Sequence, residues 1–344
     1  MIRKKGGERH LSQRQRGQIA HTERKRSQES MAVHGEALLR CLGREAFGPE
    51  EEGLVIAHYG LNIEVEDGQG GRCRCAVRKS STGEPVCGDR VLWMRAEGGQ
   101  QGVINGILSR RSLLQRPLAG QRLQVIAANV DRIWVVFAAT EPNMGLLDRY
   151  LVAAGVAGIP AAIVVNKMDL VEEGEMQARF GHYGAMGYVV QYVSTVDKRG
   201  MAALLAAMQG LTSVLVGESG TGKSSLLAEW VTAESVKIGE VSQWSGKGRH
   251  TTTVTSWYHL PGGGAVIDSP GIREFGLHGI EAAQVGRYFP DVAPWLEQCR
   301  FNDCRHGGEP GCAVQAAIGR GAVRAERVQS LQRIQESLLQ ERLY

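Results

Sequence analysis

Gly217 to Ser224 reads Gly-Glu-Ser-Gly-Thr-Gly-Lys-Ser, between an apolar run, Ser213 to Val216, and a stretch with helical character, Ser224 to Trp230. Gly217, Gly220 and Gly222 let the backbone curl until its N–H groups point at phosphate oxygens, and the helix that follows adds a favourable dipole. Lys223 is expected to reach the β- and γ-phosphates, and the Ser224 hydroxyl to ligate Mg²⁺. Glu218, Ser219, Thr221 and Ser225 complete the loop that would hold the nucleotide.

Asn166-Lys167-Met168-Asp169 closes another apolar run, Ala161 to Val165, and all four residues are expected at the nucleotide. A carboxylate at Asp169 can accept from both the ring N–H and the exocyclic amine of guanine. Adenine lacks that donor pair, so GTP is favoured over ATP. Asn166 can bond the purine edge and brace the phosphate loop, and the Lys167 stem can lie against the ring. Ser194-Thr195 stands where a loop touching guanine O6 belongs, but matches the usual Ser-Ala pair poorly.

Asp268-Ser269-Pro270-Gly271 has the form of a second switch, with Asp268 on Mg²⁺ through water and the Gly271 N–H on the γ-phosphate. Gly248 to Thr253, with His250 at its centre, occupies the place of a first switch. Thr251 or Thr252 is expected to complete the Mg²⁺ shell, and the sequence does not choose between them. Ile272, directly after the second switch, cannot orient water as a glutamine there would. His250 is then the candidate catalytic group, against the alternative of a structural histidine in a loop. The order of the motifs is unusual. The NKMD tetrad precedes the phosphate loop by 47 residues, whereas in an ordinary GTPase it follows.

Cys299, Cys304, His306 and Cys312 place three thiols and one imidazole in 14 residues. Four soft ligands with no spare position suit one closed, structural Zn²⁺. The segment looks too short and polar to build its own core, so the metal is expected to supply its folding energy.

The elements that must carry these residues follow from composition and periodicity. Net charge is +4, yet the first 30 residues hold nine Lys/Arg against three acids, which leaves +6 there and −2 on the other 314. A cationic tail with few apolar residues reads as disordered and suited to phosphate backbones, or as a solubility tail or transit peptide. No run of 18 apolar residues occurs, so no membrane span is expected. Seven cysteines, three of them clustered, suit a reducing compartment and a metal site, and the cytoplasm is inferred. Residues 50–117 alternate short apolar runs with Gly-rich turns, the pattern of a five-stranded OB-fold barrel. Cys73 and Cys75 share one face of a strand there, and packing is the expected role. Residues 118–279 alternate apolar strands with helices, which indicates a parallel sheet whose ligand lies at the strands' C-terminal ends. Residues 280–344 form an α-rich unit whose last helix has Val328, Leu331, Ile334 and Leu338 at helical spacing. The chain therefore reads as multidomain: basic tail (1–35), OB-fold β-barrel, circularly permuted α/β P-loop domain, and zinc-binding helical unit.

Taken together, the NKMD tetrad, the string GESGTGKSSLL, the run His250 to Thr253, the stretch DSPGIREF and the Cys₃His set resemble the circularly permuted GTPases. They are most similar to the ribosome small subunit-dependent GTPase A family, along essentially the whole chain. The resemblance implies a GTP hydrolase that binds the small (30S) ribosomal subunit and 16S rRNA near the decoding region. It implies a role in late subunit maturation, with hydrolysis stimulated by the subunit and a proposed catalytic histidine at His250. Asp197 to Gly200 departs from the family's usual run. Nothing in the sequence demands a dimer, and a monomer is expected.

Overall fold

Gly53 sits where the first strand crosses the indole of Trp93, and a Cβ there would lie 2.6 Å from Nε1. That crossing belongs to a closed barrel in the computed structural model, which describes residues 47–59, 62–78, 83–97, 101–118, 122–231, 255–269 and 275–341. Its strands are β1 (Phe47–Tyr59), β2 (Asn62–Glu66), β3 (Arg72–Val77), β4 (Arg90–Ala96) and β5 (Gln101–Ile107). They pair in the order β1-β2-β3-β5-β4, and β4 closes back on β1. Only β3 and β5 run parallel, which is OB-fold connectivity. Alternation of period two sends Cys73 and Cys75, and Val91 and Trp93, inward with Val55, Val65 and Ile104. Both cysteines thus serve packing.

The barrel is followed by a two-stranded ribbon that the sequence reading did not foresee, β6 (Leu113–Leu118) and β7 (Arg122–Ala128). The apolar residues near Val125 therefore belong to a connecting hairpin, and the main sheet begins with β8 (Arg132–Ala138). Next come α1 (Met144–Val156), β9 (Ala161–Asn166), α2 (Glu173–Ala185), β10 (Val189–Tyr192), α3 (Met201–Met208), β11 (Thr212–Val216) and α4 (Lys223–Trp230). β12 (Thr255–His259) and β13 (Ala265–Asp268) complete the sheet, in the order β10-β9-β8-β11-β13-β12.

Five of these strands are parallel, and the apolar runs of β8, β9, β11 and β13 are buried on both faces, while β10 at the edge is only partly covered. Ile133, Val135 and Phe137 pack with Leu147 of α1 and Phe180 of α2. Trp134 and Val136 pack on the opposite face with Leu204 of α3 and Leu226 of α4. The loops after β9, β11 and β13 consequently share one edge of the sheet. β12 is antiparallel, and its free edge is taken by β1 of the barrel through Ala57 opposite Ser256 and His58 opposite Thr255. A bulge between Val55 and Ala57 lets β1 turn from one partner to the other.

The C-terminal unit contains a 3₁₀ stretch (Ala282–Tyr288), α5 (Ala293–Leu296), α6 (Ala313–Gly319) and α7 (Ala325–Glu341). Its core comes from residues that flank the Cys299–Cys312 segment. Val285, Phe289, Val314, Val328 and Leu331 pack with the α1–α2 face of the sheet as one cluster. Gly155 of α1 admits the ring of Tyr288, which a Cβ would meet at 2.6 Å. A buried ionic network crosses the same junction. The Arg327 guanidinium donates to Asp148 on α1 and to both carboxylate oxygens of Asp291, at 3.1 and 3.2 Å. The Tyr183 hydroxyl of α2 donates to Asp148 at 2.7 Å. Arg327 also lies 4.4 Å over the Phe289 ring. No helix among the described residues is long and apolar enough to cross a membrane.

Candidate nucleotide site and metal centre

The phosphate loop runs from the end of β11 into α4. Two of its glycines are dictated by conformation and space together. Gly217 has φ +139° and a Cβ there would strike the Val136 carbonyl oxygen; Gly222 has φ +93° and its Cβ would strike the Asn166 amide. Lys223, the first residue of α4, donates to the carbonyls of Gly217 at 2.8 Å and Glu218 at 2.6 Å. Its ammonium thus lies inside the loop's curve, where phosphate oxygens can take over these contacts. Glu218, Ser219, Gly220, Ser224 and Ser225 are exposed, while Thr221 is buried and ties its hydroxyl to the Glu218 carbonyl at 3.0 Å.

The tetrad lies across from it. Asn166 is buried, and its amide donates to the Thr221 carbonyl at 2.9 Å, the brace its residue type suggested. Lys167 adopts φ +64°, a left-handed conformation that a non-glycine residue holds only when its surroundings impose it. Met168 corrects the expectation of four residues toward the nucleotide. Its side chain is fully buried in the core and its N–H bonds the Val193 carbonyl at 3.1 Å, so it anchors the loop from below. Asp169 is exposed on the site side.

Ser194, the weakest of the sequence assignments, proves to be a hub. Its oxygen accepts from the N–H groups of Val196 at 3.1 Å and Asp197 at 3.3 Å. With both lone pairs engaged, its single proton goes to Asp169 Oδ1 at 2.6 Å. That bond fixes the carboxylate rotamer while leaving acceptor capacity for a base. Ser194 N–H bonds the Arg199 carbonyl at 3.0 Å, which closes the loop. Between these amides, Thr195 N–H has no acceptor among the described residues. Gly200 at φ +68° packs so tightly on the Tyr192 carbonyl that no Cβ would fit. Lys198 adds an exposed bridge to Glu229 of α4 at 2.7 Å. The departure at 197–200 therefore keeps a closed, pinned loop.

Asp268 is exposed at the end of β13, beside the phosphate loop because β13 pairs with β11. His250, Thr251, Thr252 and Gly271 lie outside the described residues, as do Thr253 and Ile272.

At the metal centre the ligand atoms of Cys299, Cys304, His306 and Cys312 lie within 4.8 Å of one another. Three of the four donors have the spacing that zinc requires. Tetrahedral bonds of about 2.3 Å to sulfur and about 2.05 Å to nitrogen require roughly 3.8 Å between sulfurs and roughly 3.6 Å from sulfur to nitrogen. Cys299 and Cys312 sulfurs are 3.9 Å apart, and His306 Nδ1 is 3.6 and 3.5 Å from them. Burial lowers the His306 pKa, which favours the neutral imidazole that a metal needs. The loop is shaped by its own side chains. Glu309 accepts from Arg305 and Gly307 N–H, each at 2.8 Å, and His306 sits at φ +59°. Gln315 and Gln332 donate to the His306 carbonyl, at 2.5 and 3.0 Å. Nothing in the sequence pointed to these amides, to Arg327 with Asp148, or to the Ser194 proton, because each contact joins residues from different elements.

Comparison with known proteins places this arrangement. The RsgA GTPase family model matches residues 107–278. The small ribosomal subunit biogenesis GTPase RsgA of Azotobacter vinelandii is 43% identical over 96% of this chain and 98% of its own length. That of Chromohalobacter salexigens is 44% identical over 85% of this chain and 87% of its own. Among solved structures, YjeQ from Thermotoga maritima covers 85% of this chain and 99% of its own, with TM-score 0.67 and 28% identity. YloQ, described as a circularly permuted GTPase, gives the same TM-score and identity over 85% of this chain and 96% of its own. With a phosphate loop braced by a guanine-type tetrad and a Cys₃His cluster docked on the same core, the chain belongs to the RsgA GTPase family.

Proposed function

We propose that this protein hydrolyses GTP to GDP and phosphate in small-subunit biogenesis, binding the small ribosomal subunit and its 16S rRNA and turning over fastest when docked there. The observation that carries this reading is a pair of hydrogen bonds: Asn166 to the Thr221 carbonyl joins the tetrad to the phosphate loop, and Ser194 to Asp169 fixes the base-reading carboxylate. Family membership makes the chain a GTPase, and relatives named for small-subunit biogenesis supply the partner.

In this reading Asp169 accepts from the two guanine donors, and the Thr195 N–H takes O6. Lys223 exchanges its loop carbonyls for phosphate oxygens. Bound Mg²⁺ would offset phosphate charge, held by the Ser224 hydroxyl and the Asp268 carboxylate. Thr251 or Thr252, Gly271 and His250 complete the switches. The proposed units are the basic tail (1–35), an RNA-binding barrel (50–117), the permuted GTPase (118–279) and a structural zinc unit (280–344). The protein acts as a cytoplasmic monomer.

The test is GTP and ATP turnover with and without purified small subunits. Strong stimulation of GTP turnover alone is expected. No change with saturating subunits would overturn the partner, and equal use of ATP would overturn the base assignment.

A further inference from the structure

The last regular rung between β12 and β13 pairs Ser256 with Asp268. One residue further, Thr255 stands opposite Ser269, and its hydroxyl donates to the Ser269 hydroxyl oxygen at 2.8 Å. A side-chain bond thus extends the ladder by one rung where the backbone of the second switch leaves it. Ser269 is buried at 5% exposure and follows Asp268 directly. Thr255 is equally constrained on its other side, where it lies opposite His58 of barrel strand β1. A second tie holds the far end of the same strand, His259 against Glu66 of β2 at 2.8 Å. Without the barrel β12 would be an edge strand, with one neighbour to set its position.

We propose that Thr255 is a positioning residue for the second switch, holding Ser269, and through it Asp268, from a strand whose place is set by the barrel. The inference rests on the GTPase reading above. Thr255 touches neither nucleotide nor attacking water. Its hydroxyl restricts where the chain can carry Asp268 as it leaves β13. Replacing it by valine keeps the β-branched shape but removes the hydrogen bond that Thr255 donates to the Ser269 hydroxyl.

The test uses the full chain with purified small subunits and a fluorescent GTP analogue. For Thr255→Val, subunit-stimulated kcat is expected to fall roughly threefold to tenfold, the kinetic equivalent of one lost hydrogen bond. Analogue affinity is expected to stay within about twofold of the parent, since the base and phosphate loops are untouched. Amide exchange in the 255–269 peptide should quicken, and Thr255→Ser should restore both turnover and exchange. Ser269→Ala removes the acceptor instead and should repeat the valine pattern. The proposal is overturned if Thr255→Val matches the parent in turnover and exchange, if analogue affinity falls in step with turnover, or if serine fails to rescue. Failure of the underlying reading looks different: the parent then shows no GTP turnover that Lys223→Ala removes, while the exchange comparison still decides whether Thr255 holds Ser269.

Discussion

Asn166 and Thr221 lie 55 residues apart in the chain, and the side-chain amide of the first donates to the backbone carbonyl of the second at 2.9 Å. The residue that opens the base-reading tetrad is therefore part of the wall of the phosphate loop. Asn166→Ala should weaken both functions at once. It leaves a buried carbonyl without its donor, so a stability loss of roughly 1–3 kcal/mol should accompany the lost affinity. Chemical denaturation and nucleotide titration on the same variant check the pairing; full affinity would show that the brace is dispensable.

In the proposed function Ser194 acts on the base through Asp169, to which it donates. Ser194→Ala should lower guanine-nucleotide affinity roughly threefold to tenfold, as expected for one hydrogen bond, and leave phosphate contacts intact. Asp169→Asn turns one acceptor into a donor and should shift preference from guanine toward xanthine, whose C2 carbonyl accepts where guanine donates. Competition binding with the two nucleoside triphosphates measures the exchange; unchanged guanine preference would remove Asp169 from base reading.

Arg327 joins the C-terminal helix to α1 and to Asp291 in the turn before α5, with 4% of its side chain exposed. Arg327→Leu strands the buried Asp148 carboxylate and should destabilise the fold by about 3–5 kcal/mol. Arg327→Lys should not restore it, because one ammonium cannot reproduce a fork that reaches two carboxylates. Urea denaturation of the two variants checks both statements.

The Cys₃His set and the Arg327 network are expected to hold the C-terminal unit independently. A strong chelator, or Cys312→Ser, should release one zinc per chain and quicken amide exchange across 299–319. Helix α7 should stay docked and guanine-nucleotide affinity should hold. Metal analysis and exchange mass spectrometry read the outcome. Global unfolding on chelation would mean that the metal, and not the shared core, organises the unit.

Glu66 sets a pH dependence at the barrel junction. Burial opposes its ionisation, but the His259 hydrogen bond and charge, with Arg72, outweigh burial and hold its carboxyl below the ordinary range. A depressed carboxylate pKa stabilises the fold above the unfolded value of about 4.3, and that contribution fades as pH falls through the folded value. The half-exposed His259 limits the effect to a few tenths of a kcal/mol, about the usual size for surface pairs. Glu66→Gln should flatten the acid limb of the thermal midpoint between about pH 5 and 3; an unaltered profile would show that the pair contributes nothing.

The chemistry of this protein was largely written in short strings. A phosphate loop needs glycines at positions with positive φ. A zinc site needs four soft ligands within a few turns of chain. Apolar runs ending at polar tetrads mark strand ends. All of these are local, because backbone preference and chelate spacing act between near neighbours: Gly217 and Gly222 adopt positive φ, and the Cys₃His ligand atoms cluster within 4.8 Å. Met168 was misjudged for the same reason, since a motif's letters do not say which of its side chains is spent in the core. What tertiary structure alone decided is how the pieces are joined. The bond from Arg327 to Asp148 spans 179 residues, and β12 lies between the barrel and β13 rather than at an edge. Those choices depend on which apolar faces meet and which buried charges find partners. Such energies belong to the assembled core, and no window of sequence contains them.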